Sequence, residues 1–157
     1  MNLYLKATAI GVVAGMRSMS APAFTSDYFV RQPSLFLDAS PLKWIGLPLT
    51  AKILKVMALG ELVGDKLPNT PNRTAPLPLV GRAVTGGLCG AAVFRAEGEK
   101  SELGALVGAV SAVASTFLFF QLRHNLGKSG KIPDYVTAAA EDALVLGIGR
   151  SVFPKTA

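Results

Sequence analysis

The sequence predicts an all-α polytopic membrane bundle of about five transmembrane helices, forming a single integral domain over residues 1–157. Three observations carry this. Half of the chain is hydrophobic and only 17% is charged, against roughly 25% charged in soluble domains. Residues 103–122 form an uncharged run that, at about 1.5 Å per residue, crosses a hydrocarbon core of about 30 Å. Finally, four further apolar stretches of comparable length punctuate the rest of the chain.

Residues 3–24 are apolar apart from Lys6 and Arg17, and are expected as the first span. Residues 44–63 carry Lys52, Lys55 and Glu61; residues 77–94 carry Arg82; residues 135–153 carry Glu141, Asp142 and Arg150. A charge at a helix centre costs about 2.5–3.5 kcal/mol on insertion scales, so these helices need partners that offset it. In the run 103–122 the polar residues are Ser111, Ser115, Thr116 and Gln121, and the hydroxyls can bond their own backbone.

The connections fit this scheme. Pro33, Pro41 and several aromatics in residues 25–43 suit an interfacial loop or short amphipathic helix. Pro68, Pro71, Pro76 and Pro78 exclude a helix over residues 65–78. Ala21-Pro22-Ala23 after the first apolar run has the small-residue look of a cleavage site, but Arg17 between the two argues against cleavage. Lys and Arg divide evenly between the two sides of a five-span topology, so the positive-inside rule sets no orientation.

Several function classes are excluded. One Cys and one His cannot build a disulfide framework or a Cys/His zinc site. The net charge of +6 reads as membrane flanking, because no basic helix with interleaved aromatics accompanies it, and no nucleic-acid partner is expected. No phosphate loop, nucleophile elbow, zinc-protease motif or dinucleotide fingerprint is present. No cofactor is therefore expected, and no nucleophile–base pair argues for an enzyme.

Small residues recur at four-residue spacing: Gly11 and Gly15, Gly86 and Gly90, Gly104 and Gly108. On helices these form faces that let backbones approach closely, either within one bundle or in a homo-oligomer. Sliding residues 7–20 onto 104–117 matches Gly11 with Gly108 and Ser18 with Ser115. An offset of three helices would make this a weak inverted repeat of the kind found in transporters.

The candidate ion- or solute-binding residues are Arg17, Glu61, Asp65, Arg82 and Glu141. Glu61 and Asp65 are four apart and share a helix face, where two carboxylates repel unless a cation, proton or arginine lies between them. Arg17 and Arg82 are the expected counter-charges. Glu141 and Asp142 point about 100° apart on a helix, so one of them is expected to meet Arg17, Arg82, Lys52 or Lys55 across the bundle.

Gly15-Met16-Arg17-Ser18, Glu61-x-x-x-Asp65-Lys66-x-Pro68 and Pro78-x-x-Gly81-Arg82-x-x-x-Gly86 resemble a family of small bacterial integral membrane proteins catalogued as a domain of unknown function. The resemblance covers roughly residues 5–153. It implies a multi-pass protein of the bacterial inner membrane and supplies no activity or catalytic residue. Two functional expectations follow from the residues. The first is transport or permeation of a small solute, ion or lipid headgroup through the charged cluster. The second is a membrane scaffold or assembly factor that binds a partner through its Gly-rich helix faces.

Overall fold

The computed structural model describes residues 1–64, 74–128 and 134–154, and it is all-α, with no strand among those residues. The first expected span does not form as one helix. In a continuous helix the ring of Pro22 would clash with the Ser18 carbonyl and remove a hydrogen bond, at about 3 kcal/mol or more. The chain instead ends α1 (Leu3–Met16) at Arg17, which is extended at φ −143°, ψ 107°. It then begins α2 (Ser20–Arg31), leaving Pro22 in the first turn, where its missing N–H deprives no carbonyl.

The remaining helices are α3 (Leu35–Asp38), α4 (Pro48–Gly64), α5 (Pro76–Ala96), α6 (Ser101–Lys128) and α7 (Asp134–Val152), with a 3₁₀ turn over Pro41–Gly46 before α4. The expected helix-free stretch ends earlier than the prolines suggested. Pro76 and Pro78 lie in the first turn of α5, where a missing donor is tolerated.

Side-chain contacts give each helix its direction. Gly90 faces Gly104 and Gly86 faces Gly108, so α5 and α6 are an antiparallel hairpin. Its tight turn uses Gly98 at φ +80°, with the Phe36 ring against it, a backbone conformation that glycine adopts without steric cost. Tyr4 packs edge-on against Phe94 at 5.1 Å, and Gly15 reaches Arg82, so α1 runs antiparallel to α5. Lys6 pairs with Glu97 at 3.5 Å, and Ser34 Oγ donates to Ala96 O at 2.6 Å. The start of α1 and the residues after α2 therefore lie at the same end of the molecule, beside the α5–α6 turn. Together α1 and α2 form a helical hairpin whose tip is Arg17-Ser18-Met19.

That tip is deep. Thr116, which bonds Gly15 at the end of α1, is about 22 Å along α6 from Ser101 and about 18 Å from Lys128, at 1.5 Å per residue. Helices α4 and α7 flank the hairpin. Lys55 bonds Asp27 and Glu61 bonds Ser18, so α4 runs against α2. Asp142 meets Arg17, and Phe153 stacks on Tyr28 at 4.7 Å, so α7 runs alongside α2 in the same direction.

Among the described residues, the first and longest apolar stretches are not related as an inverted repeat requires. Gly11 lies against Gly108 and Ser111, and Gly15 against Ala112 and Ser115, so α1 and α6 run parallel. An inverted pair must run in opposite directions. The reversal at Arg17–Met19, unread in the sequence, is the reason.

The core is built of small residues. A Cβ added to Gly86 would stand 2.7 Å from Gly108 O, and one added to Gly11 would stand 2.8 Å from Ser111 Cβ. The glycine faces thus serve the internal α1–α5–α6 contact, where dispersion acts at the shortest backbone approach. Large apolar side chains lie outside: Leu49, Val56 and Leu59 on α4, Leu77 and Val84 on α5, Leu106 and Leu118 on α6, and Leu146 on α7 are exposed. Of the five expected spans, Pro76–Ala96 and Ser101–Leu126 are long and apolar enough to cross a membrane by length and composition, with mean hydropathies of 1.5 and 2.0. Only 28% of the most apolar stretch of the second is buried inside the protein, whereas a soluble core helix hides most of its surface. Helix α1 is shorter, at 14 residues.

Candidate functional site at the helix break

Breaking a helix in the interior leaves carbonyls unpaired on one side and N–H groups unpaired on the other, with partial negative and positive charge respectively. The polar residues of the sequence collect at these two ends. At the end of α1, Gly15 O accepts from Arg82 Nη1 at 3.2 Å and from Thr116 Oγ1 at 3.1 Å. One turn earlier, Val12 O accepts from Ser115 Oγ at 3.1 Å. Arg82 is buried, so its positive charge compensates the carbonyl end of α1 in surroundings that screen it little.

The start of α2 carries the opposite charge and meets the opposite partner. Met19 provides no side-chain cap. Glu61, arriving from α4, supplies both oxygens: Oε1 accepts from Ser18 N–H at 2.8 Å and Ser18 Oγ at 2.9 Å, and Oε2 accepts from Met19 N–H at 2.8 Å. A carboxylate from 43 residues away thus caps a helix that lacks a local cap.

Arg17 forms the link between them. Its side chain is 3% exposed and donates to Asp142 Oδ1 from Nε at 2.8 Å and from Nη2 at 2.7 Å. Of the two neighbouring acids in α7, Asp142 faces the break. Glu141 is also buried and points toward α6, where Arg123 Nη1 is 4.0 Å from its Oε2. Among the described residues no buried side-chain nitrogen or oxygen lacks a partner.

The structure therefore gathers Arg17, Glu61 and Arg82 at one helix break and sets Glu141 apart on another face. Asp65 lies outside the described residues. Gly11, Gly15, Gly86, Gly90, Gly104 and Gly108 pack within the α1–α5–α6 contact. Of the two acids expected to supply one partner across the bundle, it is Asp142 and not Glu141 that meets Arg17, and Ser18, which the sequence did not single out as a binding residue, joins the site through its N–H and hydroxyl. Pro22, five residues after Arg17 in the same apolar run, was the signal for the break.

A cavity of about 430 Å³ opens beside the break, between α2, α4 and α7. Arg17 and Asp142 stand at its inner end and Asp27 and Lys55 further along, with apolar walls between. Among the described residues no group of three or more His, Cys, Asp or Glu is arranged to hold a metal ion.

Fold and site define an all-α protein with two helices apolar enough for a membrane and a charge-stabilised break in a third. Comparison with family models, with curated proteins and with solved structures finds no match to this chain.

Proposed function

We propose that the chain is a multi-pass membrane protein in which α4, α5, α6 and α7 cross the bilayer and the α1–α2 hairpin enters and leaves on one side. In this reading the broken helix serves transport or permeation of a small solute, ion or lipid headgroup. The observation that carries the reading is the interrupted backbone near the middle of the longest apolar helix, held by Arg17, Glu61 and Arg82 beside an open cavity. Non-helical backbone at such depth is tolerated only when buried in protein or lining a cavity. Transporter sites are commonly built from discontinuous helices whose charged ends meet at mid-depth.

The outward-facing leucines and valines and the alanine- and glycine-lined helix contacts support a lipid environment, where association relies on close packing rather than on water exclusion. Leu35, Phe36 and Trp44, exposed at the end where α1 begins, suit the headgroup layer. The inward-turned glycine faces favour transport over the scaffold alternative, since the surface a partner would need is already used.

The test is flux in proteoliposomes, read with a proton-sensitive dye, a potassium-sensitive dye and a headgroup-labelled phospholipid in parallel. At least one signal should exceed that of empty vesicles and fall about tenfold or more in Arg17→Gln, which removes the buried guanidinium that pairs with the partly buried Asp142 carboxylate. No signal above empty vesicles, or identical flux in the variant, would overturn the reading.

A further inference from the structure

The cavity beside the break has an orientation that the transport reading does not use. Its floor is Ala23 and Phe24 of α2, one wall is Ala58 and Leu62 of α4, and the other is Val145 and Leu146 of α7. Leu59 and Leu146 are exposed at its rims, so in a bilayer the groove opens sideways toward lipid. At the end away from the break, Asp27 is shared by two cations. Arg31 Nη2 reaches Oδ2 at 2.9 Å, and Lys55 Nζ bonds Oδ1. One acid against two bases leaves this end with an excess of one positive charge, and half of the Lys55 side chain is exposed.

The dimensions match half a bilayer. Asp27 lies nine residues along from Ser18, or about 13 Å at the helical rise. The tip is near mid-depth on α6, and a hydrocarbon leaflet is about 15 Å thick. The Lys55–Asp27–Arg31 cluster therefore falls at the boundary between chains and headgroups, and the apolar groove runs inward from it.

We propose that this groove is a binding site for one anionic phospholipid, with an acyl chain between α4 and α7 and the phosphate on Lys55 and Arg31. Charge complementarity selects the headgroup, and the lateral opening selects a chain-bearing ligand over a water-soluble one. The site rests on the bilayer placement proposed above and not on flux.

The experiment uses the purified, delipidated full chain in detergent, offered dioleoyl phosphatidylglycerol or dioleoyl phosphatidylcholine and weighed by native mass spectrometry. One phosphatidylglycerol should be retained with about fivefold preference, the worth of one basic residue near an anionic lipid. Lys55→Gln, a change at an exposed side chain, should abolish the preference. Ala58→Trp, which fills the groove, should remove both lipids. Equal retention of the two lipids, unchanged preference in Lys55→Gln, or a chain dimer that phosphatidylglycerol fails to dissociate would overturn the proposal. Lost flux with intact lipid preference counts against the transport reading alone; lost preference with intact flux counts against this site alone.

Discussion

Glu61 is the most exposed to test of the residues at the break, because its role rests on three hydrogen bonds. Its carboxylate accepts two backbone N–H groups and one hydroxyl at 2.8–2.9 Å. Hydrogen bonds to a charged group are worth about 1.5–3 kcal/mol each, but the carboxylate is only partly buried, so water recovers part of the loss. Removing a helix N-cap alone costs up to about 2 kcal/mol. Glu61→Ala, which also leaves the Ser18 and Met19 N–H groups without partners, should therefore destabilise the fold by about 3 kcal/mol. Glu61→Gln keeps one carbonyl oxygen for Ser18 but turns an amide N–H₂ toward Met19 and removes the charge at the start of α2. Its cost should be about half as large. Trp44 is the only tryptophan, so its fluorescence reports denaturant unfolding in detergent micelles. If Glu61→Ala unfolds at the wild-type midpoint, the carboxylate does not hold the helix break.

Three further outcomes follow from the packing. Gly108→Ala places a methyl group on the Gly86 backbone and should cost about 1–3 kcal/mol by the same unfolding assay. Gly60→Ala, which meets open space within its helix, should be neutral or stabilise by up to about 1 kcal/mol. Asp142→Ala leaves the buried Arg17 guanidinium without this carboxylate and should cost about 3–5 kcal/mol, whereas the double variant Arg17→Met, Asp142→Leu should recover much of that loss. If the single and double variants unfold alike, the pair contributes nothing specific to the break.

The sequence was most legible where apolarity alone decides structure. The run at 103–122 lies inside α6 and that at 77–94 inside α5, and glycines at four-residue spacing do line the faces where these helices meet. It was least legible at 3–24. An average over that stretch stays apolar across Pro22, and Ala21-Pro22-Ala23 drew attention as a cleavage pattern when its consequence was backbone: proline at that position forbids a helix through Ser18. The missed reversal propagated to the topology and to the supposed inverted repeat. Charges were legible as a set and not as pairs. Arg17, Glu61 and Arg82 do converge, but Glu61 bonds backbone N–H groups and Arg82 a backbone carbonyl, which no spacing of charges reveals. The choice between Glu141 and Asp142 depended on how α7 is rotated against its neighbours, a property of packing.

The central claim is that the first two helices turn back on themselves within the bilayer. Single cysteines placed at Asn2, Ser34 and Lys100, in a chain whose buried Cys89 is replaced by alanine, can be labelled in sealed vesicles with a membrane-impermeant maleimide. The hairpin puts all three on one side, so all three should react from that side and none from the other. Labelling of Asn2 from the face opposite Lys100 would mean that the first apolar stretch crosses the membrane, and would contradict the account.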